Sequence, residues 1–200
     1  GVDTHVMPLN EELEKNIKKR YQNKKIVFSL GRLVYYKGME YLIDAAKELP
    51  QDYIVLIGGT GPLIDTLKQK VANDGLSDKV ILLGSINYSD LASYYKACDV
   101  FCLPSIHESE AFGVVQLEAM SFSRPLVSTN IPRSGVAWVN QHNETGIVVE
   151  PNDAKALAKG IVSVMQNSAM FSKGAKARFD TMFTKEFMVK NIINLYSSLK

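Results

Sequence analysis

The chain has 200 residues, of which 46% are hydrophobic and 22% charged, the composition of a folded domain and not of a disordered or collagen-like segment. Lysine and arginine (23) nearly balance aspartate and glutamate (21), so the net charge of +2 gives no reason to expect a nucleic-acid or membrane partner bound by bulk charge. Apolar runs are much shorter than the roughly 20 residues that a membrane-spanning helix needs.

Short β-rich runs alternate with longer amphipathic stretches along most of the chain. The predicted strands cover 26–30, 53–57, 80–83, 100–103, 125–128 and 146–149. The predicted helices cover 38–49, 63–73, 89–97 and 113–123, and three more between 153 and 200. This alternation is typical of βαβ units with right-handed crossovers. The sequence therefore predicts an α/β fold, a doubly wound, Rossmann-like parallel sheet of about six strands with C-terminal helices.

The chain divides into three predicted segments. Residues 1–24 are rich in Lys, Glu and Asn and are expected to form a linker and lead-in helix that is not part of the core. Residues 25–183 form the predicted Rossmann-like domain, and residues 184–200 a separate C-terminal helix. Because the chain opens on Gly-Val-Asp-Thr without an initiator methionine, we expect a piece of a longer protein.

Cysteine and histidine give no pattern typical of a metal site. Cys98 and Cys102 are four residues apart, and the three histidines are scattered without a ligand pair. Both cysteines are expected to be buried, reduced thiols, which indicates a reducing compartment.

Ligands of parallel sheets bind outside the carboxyl ends of the strands. The loops at those ends are 31–37, 58–62, 84–88, 104–113 and 129–135. In the first, Arg32 and Lys37 flank a strand-to-helix turn and can converge on one anion, although a solvated turn is the alternative. The second loop lacks the G-x-G-x-x-G spacing of a dinucleotide site, and its glycines predict either a backbone contact with a ligand or a plain turn.

The fourth loop leads into a helix at Gly113. Backbone N–H groups of Gly113, Val114 and Val115 would point out of this helix start, where the helix dipole favours an anion. A phosphate could come close because Gly113 has no Cβ. Glu110 lies in the loop, and Glu118 lies about 7–8 Å along the helix at 1.5 Å per residue, where a carboxylate can accept from a vicinal diol. Taken singly, a capping acid and a surface charge are the alternatives for these two residues.

Taken together, these motifs resemble a known family. Glu110-x7-Glu118, with Ala-Phe-Gly inside it, resembles the E-x7-E signature of retaining GT-B glycosyltransferases of group 1, also called family 4. The other motifs in the family's order are Gly31-Arg-Leu-x3-Lys37-Gly38, Gly59-x-Gly61-Pro62, Cys98-Asp-Val-Phe-Cys-Leu-Pro-Ser105 and Glu144-Thr-Gly146. The resemblance extends from Gly1 to Lys200, and Gly31 to Gly38 with Trp138 to His142 look like bacterial transferases of lipopolysaccharide assembly, often mannosyltransferases.

The resemblance implies a role for each matching residue. Arg32 and Lys37 would hold the donor diphosphate and stabilise the leaving group, and Glu118 would bind the ribose hydroxyls. Ile86 would lie near the base. The donor sugar would be bound by Glu110 and by the backbone of Ala111, Phe112, Gly113 and Val114. The two cations and the helix amides supply the positive charge, so no metal ion or cofactor is expected. Ile131-Pro-Arg-Ser-Gly135 stands where the family has a Gly-rich turn.

The implied enzyme transfers a hexosyl group, mannose favoured, from a nucleotide sugar such as GDP-mannose to a cell-envelope glycan or lipid with retention of configuration. This chain would be its C-terminal, donor-binding domain. The N-terminal, acceptor-binding domain would be its partner, so we expect the chain to be inactive alone, with residues 186–196 crossing back onto that domain. The expected location is the cytoplasm, at the inner face of the inner membrane, with peripheral membrane contact through the absent domain and no nucleic-acid partner.

Three alternatives stay open. An NAD(P)-dependent oxidoreductase is favoured only by the βα alternation, since the first turn carries two cations and no second glycine. A receiver-type signalling domain would need acids clustered after strands, whereas Asp99 precedes one. Another GT-B enzyme, an epimerase or a phosphorylase, is the third, although no cofactor lysine of a phosphorylase can be identified.

Overall fold

The computed structural model describes Asp3 and residues 7–198. The strands are β1 (Lys25–Leu30), β2 (Tyr53–Gly58), β3 (Val80–Gly84), β4 (Val100–Leu103), β5 (Leu126–Thr129) and β6 (Gly146–Val149). The helices are α1 (Glu11–Arg20), α2 (Met39–Glu48), α3 (Ile64–Asn73), α4 (Tyr88–Ala97), α5 (Val114–Ser121), α6 (Val136–Val139), α7 (Ala154–Gln166), α8 (Ser168–Met182) and α9 (Lys185–Ser198). The predicted α/β fold class is confirmed. Helix α6 and a 3-10 turn at Tyr35–Lys37 were not predicted, because three or four residues carry no periodic signal.

All six strands are parallel and lie in one sheet in the order β3-β2-β1-β4-β5-β6. Successive side chains point to opposite faces. Val27 and Val55 therefore pack with α2, α3 and α7, while Phe28 and Phe101 pack with α1, α4, α5 and α8. Both faces of the sheet are covered, as the near-continuous apolar strands require.

The order of the strands reverses between β1 and β4, which pair through Val27 with Val100 and Phe28 with Phe101. The chain leaves β1 into α2 on one face and leaves β4 into α5 on the other face. The chain therefore turns to opposite faces of the sheet after these two strands. The region at their carboxyl ends, which we call the crevice, is where such folds bind ligands.

Helix α1 packs against α4 and adds to the core. Met7 and Ile17 are buried with the residues of α4, and Glu14 is an ion-pair partner of Lys96 at 3.2 Å. The prediction that this lead-in segment lies outside the core is wrong at Met7, which precedes α1, and at Ile17, which lies on the buried side of a mainly charged helix. Gly1 and Val2, where the family resemblance begins, lie outside the described residues.

Helix α9 buries none of its described residues. Its exposed apolar side chains are Phe187, Met188, Val189, Ile192, Ile193, Leu195 and Tyr196. No helix among residues 7–198 is long and apolar enough to cross a membrane.

Candidate active site

The loop after β1 and the loop after β4 are fastened to each other. The backbone N–H of Ile106 donates to the carbonyl oxygen of Tyr36 at 2.8 Å. Gly38 has a φ of 63°, and a Cβ at this position would collide with the carbonyl oxygen of Pro104. Only glycine allows this left-handed turn and this close approach together. The two loops are therefore in direct contact and form one wall of the crevice.

Lys37 and Glu110 form an ion pair inside this wall, between Lys37 Nζ and Glu110 Oε2. Their side chains are only 11% and 9% exposed. The stem of Lys37 passes over Gly31, where a Cβ would lie 3.3 Å from Lys37 Cε. Ser105 Oγ donates to the same carboxylate oxygen at 2.8 Å. Lys37 is therefore not the solvated turn residue of the alternative interpretation, and the Glu110 side chain binds Lys37 and Ser105.

Two side-chain hydroxyls, those of Ser134 and Thr129, donate to backbone carbonyl oxygens of the loop that contains Glu110. Ser134 Oγ donates to the carbonyl oxygen of Glu110 at 2.5 Å. Thr129 Oγ1 donates to the carbonyl oxygen of Ser105. No role was predicted for Ser105, Thr129 or Ser134, although Ser105 ends one of the family motifs and Thr129 ends a buried strand.

The N-terminus of α5 has free amide groups. Within the described part of the chain, the backbone N–H groups of residues 111–115 donate to no acceptor, and no side chain caps the helix. Ala111 and Val114 are exposed. Phe112 is half-buried and packs on Trp138, with ring centroids 6.0 Å apart. Unpaired amides at a helix N-terminus attract anions.

Gly113 is needed for a reason other than the expected approach of a phosphate. Its φ is 73°, and a Cβ would lie 2.6 Å from Leu103 Cδ2 and 2.8 Å from Gln116 Nε2. Backbone conformation and packing therefore demand glycine whether or not a ligand is bound.

Glu118 has its hydrogen-bond partner on α4 and not in the Lys37–Glu110 pair. Tyr95 OH, from α4, donates to Glu118 Oε2 at 2.6 Å. Burial raises the pKa of Glu118 above its usual 4.5, and the hydrogen bond from Tyr95 acts in the opposite direction. Glu118 is half-buried, so it is not the surface charge of the alternative interpretation. Tyr95 was missed because a tyrosine on an amphipathic helix is typical of the core.

Arg32 and Lys37 lie in different surroundings. Arg32 is exposed, and its side chain makes no hydrogen bond or ion pair with the residues that the structure describes. Lys37 is engaged by Glu110, so convergence of the two cations on one anion stays a prediction. Ile86 lies over the end of β2, where a Cβ on Gly58 would meet Ile86 Cδ1 at 2.5 Å.

The Gly-rich turn after β2 packs against protein backbone. A Cβ on Gly59 would collide with the carbonyl oxygen of Gly31, and one on Gly61 would lie 2.7 Å from the nitrogen of Leu33. Leu33 N donates to the carbonyl oxygen of Thr60 at 2.8 Å. These glycines support the loop that carries Arg32 and Lys37.

The loop that departs from the family pattern contains Arg133 at a φ of 63°. Arg133 Nε donates to Glu108 Oε2 at 2.7 Å, on the exposed rim of the crevice.

Among the described residues, no three histidine, cysteine or acidic side chains gather as a group that could hold a metal ion. Cys98 and Cys102 are buried free thiols, and burial raises the pKa of Cys98 to about 12.

A family model described as glycosyl transferases group 1 matches residues 10–178. The O-antigen chain mannosyltransferase C of Escherichia coli is 35% identical over 175 residues, 85% of this chain and 46% of that protein. The D-rhamnosyltransferase WbpZ of Pseudomonas aeruginosa is 33% identical over 158 residues, 78% of this chain and 40% of that protein. The chain thus spans about half the length of the curated relatives it matches.

Solved structures share the fold. The HepE protein of Anabaena in complex with UDP superposes with a TM-score of 0.88 at 23% identity, covering 99% of this chain and 56% of that one. The C-terminal domain of a glycosyl transferase group 1 family protein, LpcC, from Francisella tularensis gives a TM-score of 0.77 at 24% identity, covering 92% of this chain and 100% of that one.

Proposed function

The chain belongs to the group 1 glycosyl transferases, and we propose that it is the C-terminal, donor-binding domain of a GT-B enzyme that transfers a hexosyl group with retention of configuration. Mannose is the favoured sugar and GDP-mannose the favoured donor, with a cell-envelope glycan or lipid as acceptor. Relatives named as an O-antigen mannosyltransferase and a D-rhamnosyltransferase support the substrate class. The fold shared with LpcC supports the position of the domain.

The observation that carries this proposal is the buried Lys37–Glu110 pair at the ends of β1 and β4, together with the amides of residues 111–115, which have no acceptor among the described residues. When a nucleotide sugar loses its sugar, negative charge develops on the departing diphosphate. Cations and amide groups already held in place lower the barrier, because they need no reorganisation. Lys37 and the amides of residues 111–115 supply such groups, and exposed Arg32 is free to join them.

Each remaining predicted residue fits one part of the donor. Glu110 Oε2 is engaged by Lys37 and Ser105, whereas its Oε1 makes no hydrogen bond with described residues and remains available to a sugar hydroxyl. Glu118 would accept from the ribose diol. Ile86 offers an apolar contact for the base. A resident metal ion or cofactor plays no part in this proposal.

We further propose that the chain cannot transfer sugar alone. The acceptor would be bound by an N-terminal domain, the partner of this chain. Helix α9 exposes apolar side chains along its length, among them Ile193 and Leu195, and these would be covered when α9 crosses onto that domain. Buried reduced thiols support a cytoplasmic location. Contact with the inner face of the membrane would come through the N-terminal domain.

Calorimetric titration tests the proposal. GDP-mannose, UDP-glucose, UDP-N-acetylglucosamine and NAD⁺ are added separately to the 200-residue chain. We expect GDP-mannose to bind most tightly, and mannose 1-phosphate, which lacks the nucleoside, to serve as the weak-binding control. Binding of NAD⁺ alone would favour the oxidoreductase alternative and overturn the proposal.

A transfer assay tests the need for a second domain. The chain is incubated with GDP-mannose and a lipopolysaccharide core acceptor, and release of GDP is followed. We expect no acceptor-dependent release. Robust acceptor-dependent transfer by this chain would contradict the proposal that the acceptor site lies in the absent domain.

A further inference from the structure

We propose that Tyr95 is a positioning residue for the carboxylate of Glu118, and that it sets the preference of this site for nucleotides with an intact ribose diol. The inference rests on the proposed function, because it assigns Glu118 to the ribose. It adds a residue outside the family motifs, on α4, a helix that contributes none of the predicted donor contacts.

The hydroxyl of Tyr95 donates to Glu118 Oε2 at 2.6 Å, a short hydrogen bond between a neutral donor and a carboxylate. The ring of Tyr95 is fully buried. It stacks on Phe122 at 6.0 Å and 8°, and meets Phe28 edge-on at 5.4 Å. A ring packed on both sides holds its hydroxyl at a fixed point.

A fixed Tyr95 hydroxyl matters because the two hydroxyl groups of a vicinal diol donate to both oxygens of a carboxylate. Two neighbouring hydroxyls donate well only when the carboxylate plane is correctly turned. A glutamate side chain has several rotatable bonds, and ordering them during binding costs affinity. The bond from Tyr95 orders Glu118 in advance and leaves Oε1 without a hydrogen bond among the described residues.

The same bond favours the charged form of Glu118. Burial raises the pKa of this carboxyl, and the hydrogen bond from Tyr95 opposes that rise. A carboxylate accepts from both hydroxyls of a diol, whereas a protonated carboxyl group has one oxygen occupied as a donor. Orientation and ionisation of Glu118 thus both depend on one hydroxyl group.

The test removes that hydroxyl and keeps the ring. Tyr95→Phe is compared with Tyr94→Phe, the matched control, because Tyr94 is the neighbouring tyrosine of α4 and its hydroxyl makes no hydrogen bond with described residues. The probes are UDP and GDP, each beside its 2′,3′-dideoxy counterpart, titrated calorimetrically. We expect Tyr95→Phe to weaken the better-bound ribonucleotide about 5- to 20-fold. The dideoxy counterpart should change by less than about twofold.

A double variant shows whether the effect passes through Glu118. Glu118→Ala alone should abolish the advantage of the diol, and adding Tyr95→Phe should then change affinity no further. Thermal melts of both tyrosine variants check folding, and a purely structural role would lower the melting temperature without changing ribose selectivity.

The outcomes separate the two claims. If wild type binds neither UDP nor GDP, the proposed function fails and this inference fails with it. If wild type prefers the ribonucleotide and Glu118→Ala loses that preference, but Tyr95→Phe retains it in full, the proposed function survives and the positioning role of Tyr95 is overturned. Equal weakening of ribonucleotide and dideoxynucleotide by Tyr95→Phe also overturns it.

Discussion

Lys37 and Glu110 are 73 residues apart in the chain and form a buried ion pair where β1 and β4 end. Glu110 Oε2 accepts hydrogen bonds from both Lys37 Nζ and Ser105 Oγ, so this buried carboxylate oxygen has two donors. A buried charge that keeps its partner is tolerated, whereas one that loses its partner is costly. The pair therefore joins two loops of the candidate site, and removal of one partner alone should destabilise the domain.

The first prediction concerns that stability. Lys37→Met should lower the free energy of unfolding by about 3 kcal/mol, because it leaves the Glu110 carboxylate buried and unpaired. Lys37→Met combined with Glu110→Gln should recover much of the loss, since the second change removes the orphaned charge. Urea unfolding of the single and double variants measures both effects.

Lys176→Met is the control, because Lys176 pairs with Asp180 on an exposed helix face, where ion pairs contribute little. If the double variant loses as much free energy of unfolding as the two single variants together, Lys37 and Glu110 do not couple.

The second prediction concerns Arg32. Because its side chain is exposed and unpaired among the described residues, Arg32→Ala should leave the melting temperature unchanged. If it grips the diphosphate, affinity for UDP and GDP should fall roughly 10- to 100-fold. Calorimetry of Arg32→Ala beside Arg20→Ala, an exposed arginine at the end of α1, measures the difference. Equal affinities of the two variants for UDP and GDP would show that Arg32 does not bind the diphosphate.

The fold was largely predictable because its strands are continuous apolar runs bounded by glycine, proline and polar residues. Each of the six predicted strands matches the structure to within one residue at either end. The core role of α1 was missed, since Ile17 is one apolar residue among charged neighbours, and only the position of α4 shows that its face of the helix is covered.

The sequence predicted which elements carry the candidate residues but not which contacts these residues make. Glu110 and Glu118 are correctly located in a loop and on the helix that follows it. Their partners depend on the order of the strands: Lys37 reaches Glu110 because β1 lies beside β4, and Tyr95 reaches Glu118 because α4 packs near α5. No local spacing in the sequence encodes these two relationships.

The third prediction is a pH dependence of ribose recognition. Burial raises the pKa of Glu118 above 4.5, so its carboxylate takes up a proton at a higher pH than an ordinary glutamate. The advantage of UDP or GDP over the dideoxy counterpart should be complete at neutral pH. This advantage should be lost as the pH falls through the pKa of Glu118, which lies above 4.5.

Calorimetry from pH 8 downward measures the ratio of the two affinities, in which ionisation of the diphosphate cancels. Glu118→Gln, which carries no ionisable group at this position, should show no change of the ratio with pH. A ratio that varies equally in wild type and variant would assign the titration to another group.

The fourth prediction concerns divalent ions. Lys37, Arg32 and the free amides of α5 supply positive charge for the diphosphate, so binding of GDP should not require magnesium or manganese. Affinity measured in EDTA should agree within about twofold with that measured in 5 mM magnesium, a difference below about 0.4 kcal/mol. Affinity that collapses in EDTA and returns with either metal would contradict this.

The fifth prediction separates the sugar from the diphosphate. Glu110→Gln keeps an acceptor for Ser105 but removes the charge that pairs with Lys37. In this variant, the Lys37 ammonium group is no longer neutralised by Glu110 and interacts with the diphosphate alone. Affinity for bare UDP or GDP should therefore stay equal or rise a few-fold. Affinity for the sugar-bearing donor should lose its advantage over the bare nucleotide. In the full-length enzyme, the main effect should be lower turnover.

Glu108→Gln is the matched control for this last change, because Glu108 lies in the same loop and, among the described residues, forms an ion pair only with exposed Arg133. It should leave both affinities unchanged. Calorimetry with the nucleotide and its sugar-bearing form compares the two variants under one set of conditions. If Glu110→Gln weakened bare UDP or GDP as much as Arg32→Ala, the role of Glu110 would be to hold Lys37 for the diphosphate, and the sugar would have to be recognised by the backbone of residues 111–114.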